Sequence, residues 1–182
     1  MPPMFSLLPK RIRRGSGGLR IRPFDDKNLS VLLSWTRTDR ELRLWAGETF
    51  RKMPDEKTFR EHLSRDRVTA LQAEDRWGRF IGYGELVDRT GGAGTICRVI
   101  IDPARRGMGS GKGLVDLLSR EGFEKLGFKH LLLNVFVFNT PALRCYRSLG
   151  FRPLPNRPKP RAYGGELWEL VVMKKVASTK AA

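Results

Sequence analysis

Histidine and cysteine are almost missing from this sequence, with two of each in 182 residues. Cys97 and Cys145 lie far apart without Cys-x-x-Cys spacing, and His62 and His130 each stand alone, so no zinc or iron ligand set can be read. Both cysteines fall in apolar segments, which suits buried free thiols in a reducing compartment better than a disulfide framework. Long apolar runs are missing too: nothing approaches the ~20 residues that span a bilayer. Near the N-terminus the apolar residues come before the first charge, and Pro2, Pro3 and Pro9 interrupt them. That is the reverse of a secretory signal. These absences lead to the expectation of a cytoplasmic protein with no metal and no membrane association.

Acid is the scarce charge. Nineteen Asp and Glu face 35 Lys and Arg, for a formal net charge of +16. Much of the excess lies near the ends. Lys10, Arg11, Arg13 and Arg14 have no acid beside them in residues 1–18, and residues 152–182 set seven cations against Glu166 and Glu169. Such charge either keeps the chain soluble or draws it to a polyanion such as RNA or a ribosome. No helix-turn-helix pattern or aromatic-rich RNA motif accompanies it.

The length suits one domain, and 40% apolar with 30% charged residues is ordinary for a globular chain. Residues 1–18, rich in Pro, Arg and Gly, read as a flexible basic arm. Residues 19–175 read as the domain and 176–182 as a disordered tail. Leu19 to Arg22 alternates apolar and charged residues, a strand pattern that Pro23 ends. Leu29, Leu32, Leu33 and Trp35 have helical spacing, an aromatic-rich stretch runs to Phe50, and Pro54-Asp55-Glu56 opens a further helix. The period then changes. Strands are expected over 68–73 and 79–87 around a hairpin at Asp75–Gly78, and over 95–101 after the turn at 90–94. A helix from the glycine-rich loop at 106–113 to about Leu126, a strand over 129–137 and a helix over 141–149 follow. A strand from Phe151, a proline-rich loop and a last strand over 166–173 complete the order. That order is a mixed α/β sandwich, not repeated βα units.

Arg105-Arg106-Gly107-Met108-Gly109-Ser110-Gly111-Lys112-Gly113 lies between a strand and a helix. Glycines permit positive φ and leave no side chain in a ligand's way. Successive N–H groups at a helix start form an anion-binding concavity, so the loop is either a tight turn or a pyrophosphate cradle that needs no metal. It is not a Walker loop, because Gly113 follows Lys112 where Ser or Thr is required. Further on, Thr140 and Pro141 suit the N-cap and first position of a helix, and Gly150 suits its left-handed end. Ala142, Cys145, Tyr146 and Leu149 fall on one face. Tyr146 is therefore either a core aromatic or a functional hydroxyl, and Asn139 either a turn residue or a ligand group.

Together these residues resemble the GNAT superfamily of N-acetyltransferases. The family's loop signature is met by Arg106, Gly109 and Gly111, directly after a strand ending Val99-Ile100-Ile101-Asp102-Pro103. Its second motif is met by Asn139, Ala142, Tyr146, Gly150 and Phe151. The stretch from Trp35 to Phe50 also resembles, loosely, the branch that acetylates ribosomal-protein N-termini and related amines. The resemblance implies a central, mostly antiparallel twisted sheet of about seven strands, splayed in the middle, with helices on both faces.

It further implies acetyl-coenzyme A as co-substrate. Backbone groups of Val99, Ile100 and Ile101 would pair with the pantetheine arm, and the loop Arg106, Gly107, Met108, Gly109, Ser110, Gly111 and Lys112 would hold the pyrophosphate. The thioester would lie near Asn139, Ala142 and Tyr146. A neutral amine would attack directly, giving a tetrahedral oxyanion, and Tyr146 would protonate the departing thiolate. The carboxylate that many members place on the strand before the loop is missing, and Arg98 has the wrong charge for it. Glu85, one strand earlier and on the face of Ile81, Tyr83 and Val87, is the nearest candidate base. An apolar face would raise its pKa into a useful range. The expected acceptor is a small amine or a protein N-terminus, on a monomer or homodimer. The competing reading is a non-catalytic acyl-coenzyme A- or RNA-binding module of the same fold.

Overall fold

The computed structural model describes residues 13–14, 18–155 and 160–177. One sheet holds eight strands: β1 (Arg13–Arg14), β2 (Arg20–Pro23), β3 (Val68–Glu74), β4 (Phe80–Asp88), β5 (Ala93–Ile101), β6 (His130–Phe136), β7 (Arg152–Pro153) and β10 (Leu170–Val176). Their order is β1-β2-β3-β4-β5-β6-β10-β7, and every pairing is antiparallel except β5 with β6. The expected mostly antiparallel sheet of about seven strands is thus found, with β1 added at one edge. β8 (Arg161–Tyr163) and β9 (Glu166–Trp168) form a separate hairpin turned by Gly164 and Gly165, both at positive φ. The strand expected over 166–173 is therefore two strands. It breaks at Glu169, whose carbonyl accepts the N–H of Val137.

Helices cover both faces. On one lie α1 (Leu29–Ser34), α2 (Asp39–Ala46) and α3 (Glu56–Leu63). α2 starts at a reciprocal cap: Thr38 Oγ1 accepts from Glu41 N at 3.2 Å, and Glu41 Oε2 accepts from Thr38 N at 3.2 Å. Asp55 caps α3 through Thr58 N at 2.8 Å. Leu29, Leu32, Trp45, Phe50 and Phe59 pack here against Tyr83 and Ile100 of the sheet. On the other face lie α4 (Ser110–Arg120), which ends in one π turn over Glu121–Lys125, and α5 (Thr140–Ser148). Leu114, Leu117 and Leu118 of α4 pack on Leu86, Ile96, Leu131 and Leu133. Each fully buried leucine contributes roughly 1.5–3 kcal/mol. Gly84 allows α4 this close, since a Cβ there would stand 2.6 Å from Leu118 Cδ1.

Two irregularities re-aim β4 and β5. The register of β3 on β4 shifts at Ala73/Glu74, which moves Ile81 into the α4-side core while Tyr83 stays on the α1–α3 side. The expectation that Ile81 shares a face with Glu85 fails for that reason: one extra residue flips the alternation. The register of β4 on β5 shifts between Tyr83 and Glu85, opposite Arg98 at φ 49°. Trp45 Nε1 donates to the Arg98 carbonyl at 2.8 Å and so fastens α2 to this bulge. Among the described residues, no helix is long and apolar enough to cross a membrane, and no group of three or more His, Cys, Asp or Glu could hold a metal ion.

Candidate active site

β5 and β6 pair only from Ala93↔His130 to Ile96↔Leu133. Beyond that register each strand follows its other neighbour: β5 stays on β4 as far as Ile101, and β6 stays on β10 along its whole length. The bulge at Arg98 bends β5 where the two part. The gap opens into a cleft of about 370 Å³ that Cys97, Arg98 and Val99 line from β5, and Asn134 to Phe136 from β6. Ile100 and Ile101 turn their side chains into the two cores and leave the strand edge to face the gap.

The glycine-rich loop follows β5. Arg106 Nε donates to the Ile101 carbonyl at 3.1 Å, so this arginine ties the loop back to the strand and occupies that carbonyl. Gly107 and Gly109 have φ of 77° and 80°, and a Cβ on either would meet nothing within 4 Å. They are needed for the backbone turn, and the space in front of α4 is open. Gly109 offers no capping side chain, and the first N–H returned to the chain is that of Gly113, to Gly109 O. The N–H groups of Ser110, Gly111 and Lys112 precede that bond and point out of the helix start. Met108 and Lys112 are exposed beside them. This arrangement fits a pyrophosphate.

Asn139, Ala142 and Tyr146 line the same cleft from α5. Asn139 itself caps α5, its Oδ1 accepting from Ala142 N at 3.3 Å, which corrects the expectation that Thr140 is the cap. The far end is as expected: Gly150 sits at φ 89°, and the Phe151 N–H returns to Tyr146 O at 3.0 Å. Tyr146 is half-buried, with its ring edge-on to buried Phe151 and no hydrogen-bond partner for its hydroxyl among the described residues. Burial, and then the neighbouring Cys145, push its hydroxyl up to about 12. At neutral pH it is a proton donor.

Glu85 stands elsewhere. It is fully buried on the α1–α3 side and does not line the cleft. His62 Nε2 lies 3.0 and 3.1 Å from its two oxygens, the Tyr83 hydroxyl donates to Oε1 at 2.7 Å, and Arg98 Nη2 donates to Oε2. Burial pushes this carboxyl up, but the hydrogen bonds from His62 and Arg98, and the charge of Arg98, outweigh it and hold the pKa at about 2. The expected upward shift is therefore corrected, because the face supplies three donors and is not apolar. His62 is likewise not isolated. It shares a helix face with Phe59, three residues earlier, and that spacing was a readable sign that it points inward. Arg98, set aside for its charge, is the partner of Glu85. Arg98 is the one charge of β5 and Glu85 the one charge in the interior of β4, which was the signal that they meet. Arg98 Nη1 also donates to Thr49 Oγ1 at 3.0 Å.

The sequence did not mark the rest of the cleft wall. Arg43, Arg89, Arg161, Tyr163 and Trp168 line it as well. Comparison with known proteins matches residues 32–151 to a family model described as acetyltransferase (GNAT) family. Among solved structures, the chain is similar to the spermidine N-acetyltransferase of Vibrio cholerae in complex with CoA and spermine. Identity is 19%, the match covers 87% of this chain and 95% of that one, and the TM-score is 0.76. A dodecameric structure of that enzyme in an intermediate state matches at 19% identity, over 87% and 94% of the chains, with a TM-score of 0.70.

Proposed function

The chain belongs to the acetyltransferase (GNAT) family and is an acetyl-coenzyme A-dependent N-acetyltransferase, and we propose that it acetylates a primary amine, of a small molecule or a protein N-terminus, in the cleft between β5 and β6. The carrying observation is that one opening brings together the splayed strand edge and the Asn139–Tyr146 wall, with the uncapped start of α4 joined to β5 by the loop over 102–109. When bound, acetyl-coenzyme A supplies an activated acetyl thioester. The amides of Ser110 to Lys112 would hold its pyrophosphate, with Lys112 adding positive potential. The free edge of Val99 and Ile100 would hold the pantetheine arm as an added strand. Tyr146 keeps a proton at Oη beside the cleft, available to a departing thiolate. Asn139, fixed by its cap bond, would orient groups in the cleft.

Glu85 is a structural anchor in this reading: its carboxylate is saturated with donors, and a base held at about 2 accepts a proton poorly at neutral pH. The acceptor amine then reaches the cleft neutral or gives its proton to water. Titration calorimetry with acetyl-coenzyme A, followed by thiol release in the presence of an amine panel, tests the proposal. Binding and amine-dependent release are expected. Failure to bind the donor in a folded sample would overturn it.

A further inference from the structure

The cleft wall is basic. Among the described residues four arginines line it, Arg43, Arg89, Arg98 and Arg161, against one carboxylate, Glu48. Two of the four are already compensated. Arg98 is paired with Glu85, and Arg161 Nε lies 3.1 Å from Glu48 Oε2. Arg43 and Arg89 have no carboxylate within 4 Å among the described residues. Arg43 donates to the Gly47 carbonyl and Arg89 to Thr95 Oγ1. The lone acid of the wall is thus spent on Arg161, and two guanidinium charges remain open to the cleft.

The aromatic rings lead to the same conclusion. Tyr163 and Trp168 could in principle receive an ammonium on their faces. Arg43 already lies 5.0 Å from the Tyr163 centroid, and Arg40 lies 4.9 Å from that of Trp168. A second cation over either ring would meet a guanidinium first. Like charges in a confined site suppress the wrong partner and opposite charges steer the right one.

Resting on the acetyltransferase reading above, we propose that the acceptor is a small amine that carries a carboxylate or phosphate close to its nitrogen, with Arg43 and Arg89 as the groups that receive this anion. The anion would also explain how the cleft manages without a carboxylate base. An acidic group beside an amine favours the ammonium form, and neutralising it with arginine releases the proton more readily.

Matched probes test this. β-Alanine is compared with β-alaninamide, and O-phosphoethanolamine with ethanolamine. Spermidine and a neutral peptide N-terminus serve as further competitors. Thiol release gives kcat/KM, and amine binding is measured by calorimetry or NMR with and without CoA. The acid-bearing member of at least one pair should win by about tenfold or more, the worth of one charge-assisted contact. Which pair wins identifies carboxylate or phosphate. The margin should shrink with salt and fall to within about twofold in Arg43→Gln or Arg89→Gln. Arg89 is exposed, so its variant keeps the test readable if Arg43→Gln folds poorly. Equal or better binding and turnover of spermidine, a neutral amine or the peptide, with acetyl-coenzyme A still bound, would overturn the inference and leave the acetyltransferase reading standing. Loss of donor binding would strike the latter alone, because the amine ranking is also read without CoA.

Discussion

Glu85 and Tyr146 lie on opposite faces of the sheet and form a contrast. Glu85 is fully buried, with three donors on its carboxylate and its pKa held at about 2. Tyr146 is half-buried, its hydroxyl has no partner among the described residues, and its pKa is pushed up to about 12. Both are perturbed, but only Tyr146 opens on the cleft. A perturbed pKa thus has two sources here, a satisfied network that holds the fold and the burial of an unpartnered hydroxyl, the group proposed above as the proton donor. Hydrogen-bond saturation tells them apart.

The largest expected effect tests the structural half. Glu85→Ala leaves Arg98 and His62 facing a hole and should cost about 3–5 kcal/mol, as when one partner of a buried pair is removed. Urea unfolding measures it. Turnover of the fraction still folded should stay within a few-fold of wild type; a hundredfold loss there would restore Glu85 as a base and dissolve the contrast. Acid should act on the same group. Its folded pKa lies below the ordinary 4.5, so its stabilisation is complete above about pH 4.5 and is lost as pH falls toward about 2. Unfolding midpoints followed between pH 6 and 2 should fall through that window in the wild type and much less in Glu85→Gln.

The chemical half predicts the reverse pattern. Tyr146→Phe removes a hydroxyl that bonds nothing among the described residues, so stability should change by less than about 0.5 kcal/mol. Turnover should fall roughly 10²-fold, about 2.7 kcal/mol of barrier. Unchanged kcat in the folded variant would make the ring a packing group only. The smallest effect lies at the loop. Gly109→Ala forces an L-residue to φ 80° with no atom in its way, costing about 1–2 kcal/mol. If the loop is the phosphate cradle, acetyl-coenzyme A affinity measured by calorimetry should also fall; affinity unchanged beside a lower melting temperature would confine Gly109 to the turn.

Much of this architecture was legible in the sequence because local chemistry decides it. The left-handed Gly150, the hairpin at Asp75–Gly78 and the glycines before α4 follow from φ preferences and short-range hydrogen bonds. The cap of α5 was misplaced by one residue, since Asn139 and Thr140 are both good caps and only the backbone geometry chooses between them. The cleft was less legible. Arg43, Arg89 and Arg161 come from three distant segments, and nothing near any of them in the chain marks a wall.

The two motif spacings and the positions needing glycine were fixed by residue order alone, because each depends on neighbours a few positions away. Which face Ile81 took, whether Glu85 rose or fell in pKa, and where the sheet parted were decided in three dimensions. A single bulge residue inverts every side chain beyond it. A carboxyl responds to the donors that surround it, here one 23 residues back and one 13 residues on. The strands part past Ile96 and Leu133 where the bulge at Arg98 bends β5, while β6 keeps its full pairing with β10, a strand at the far end of the chain.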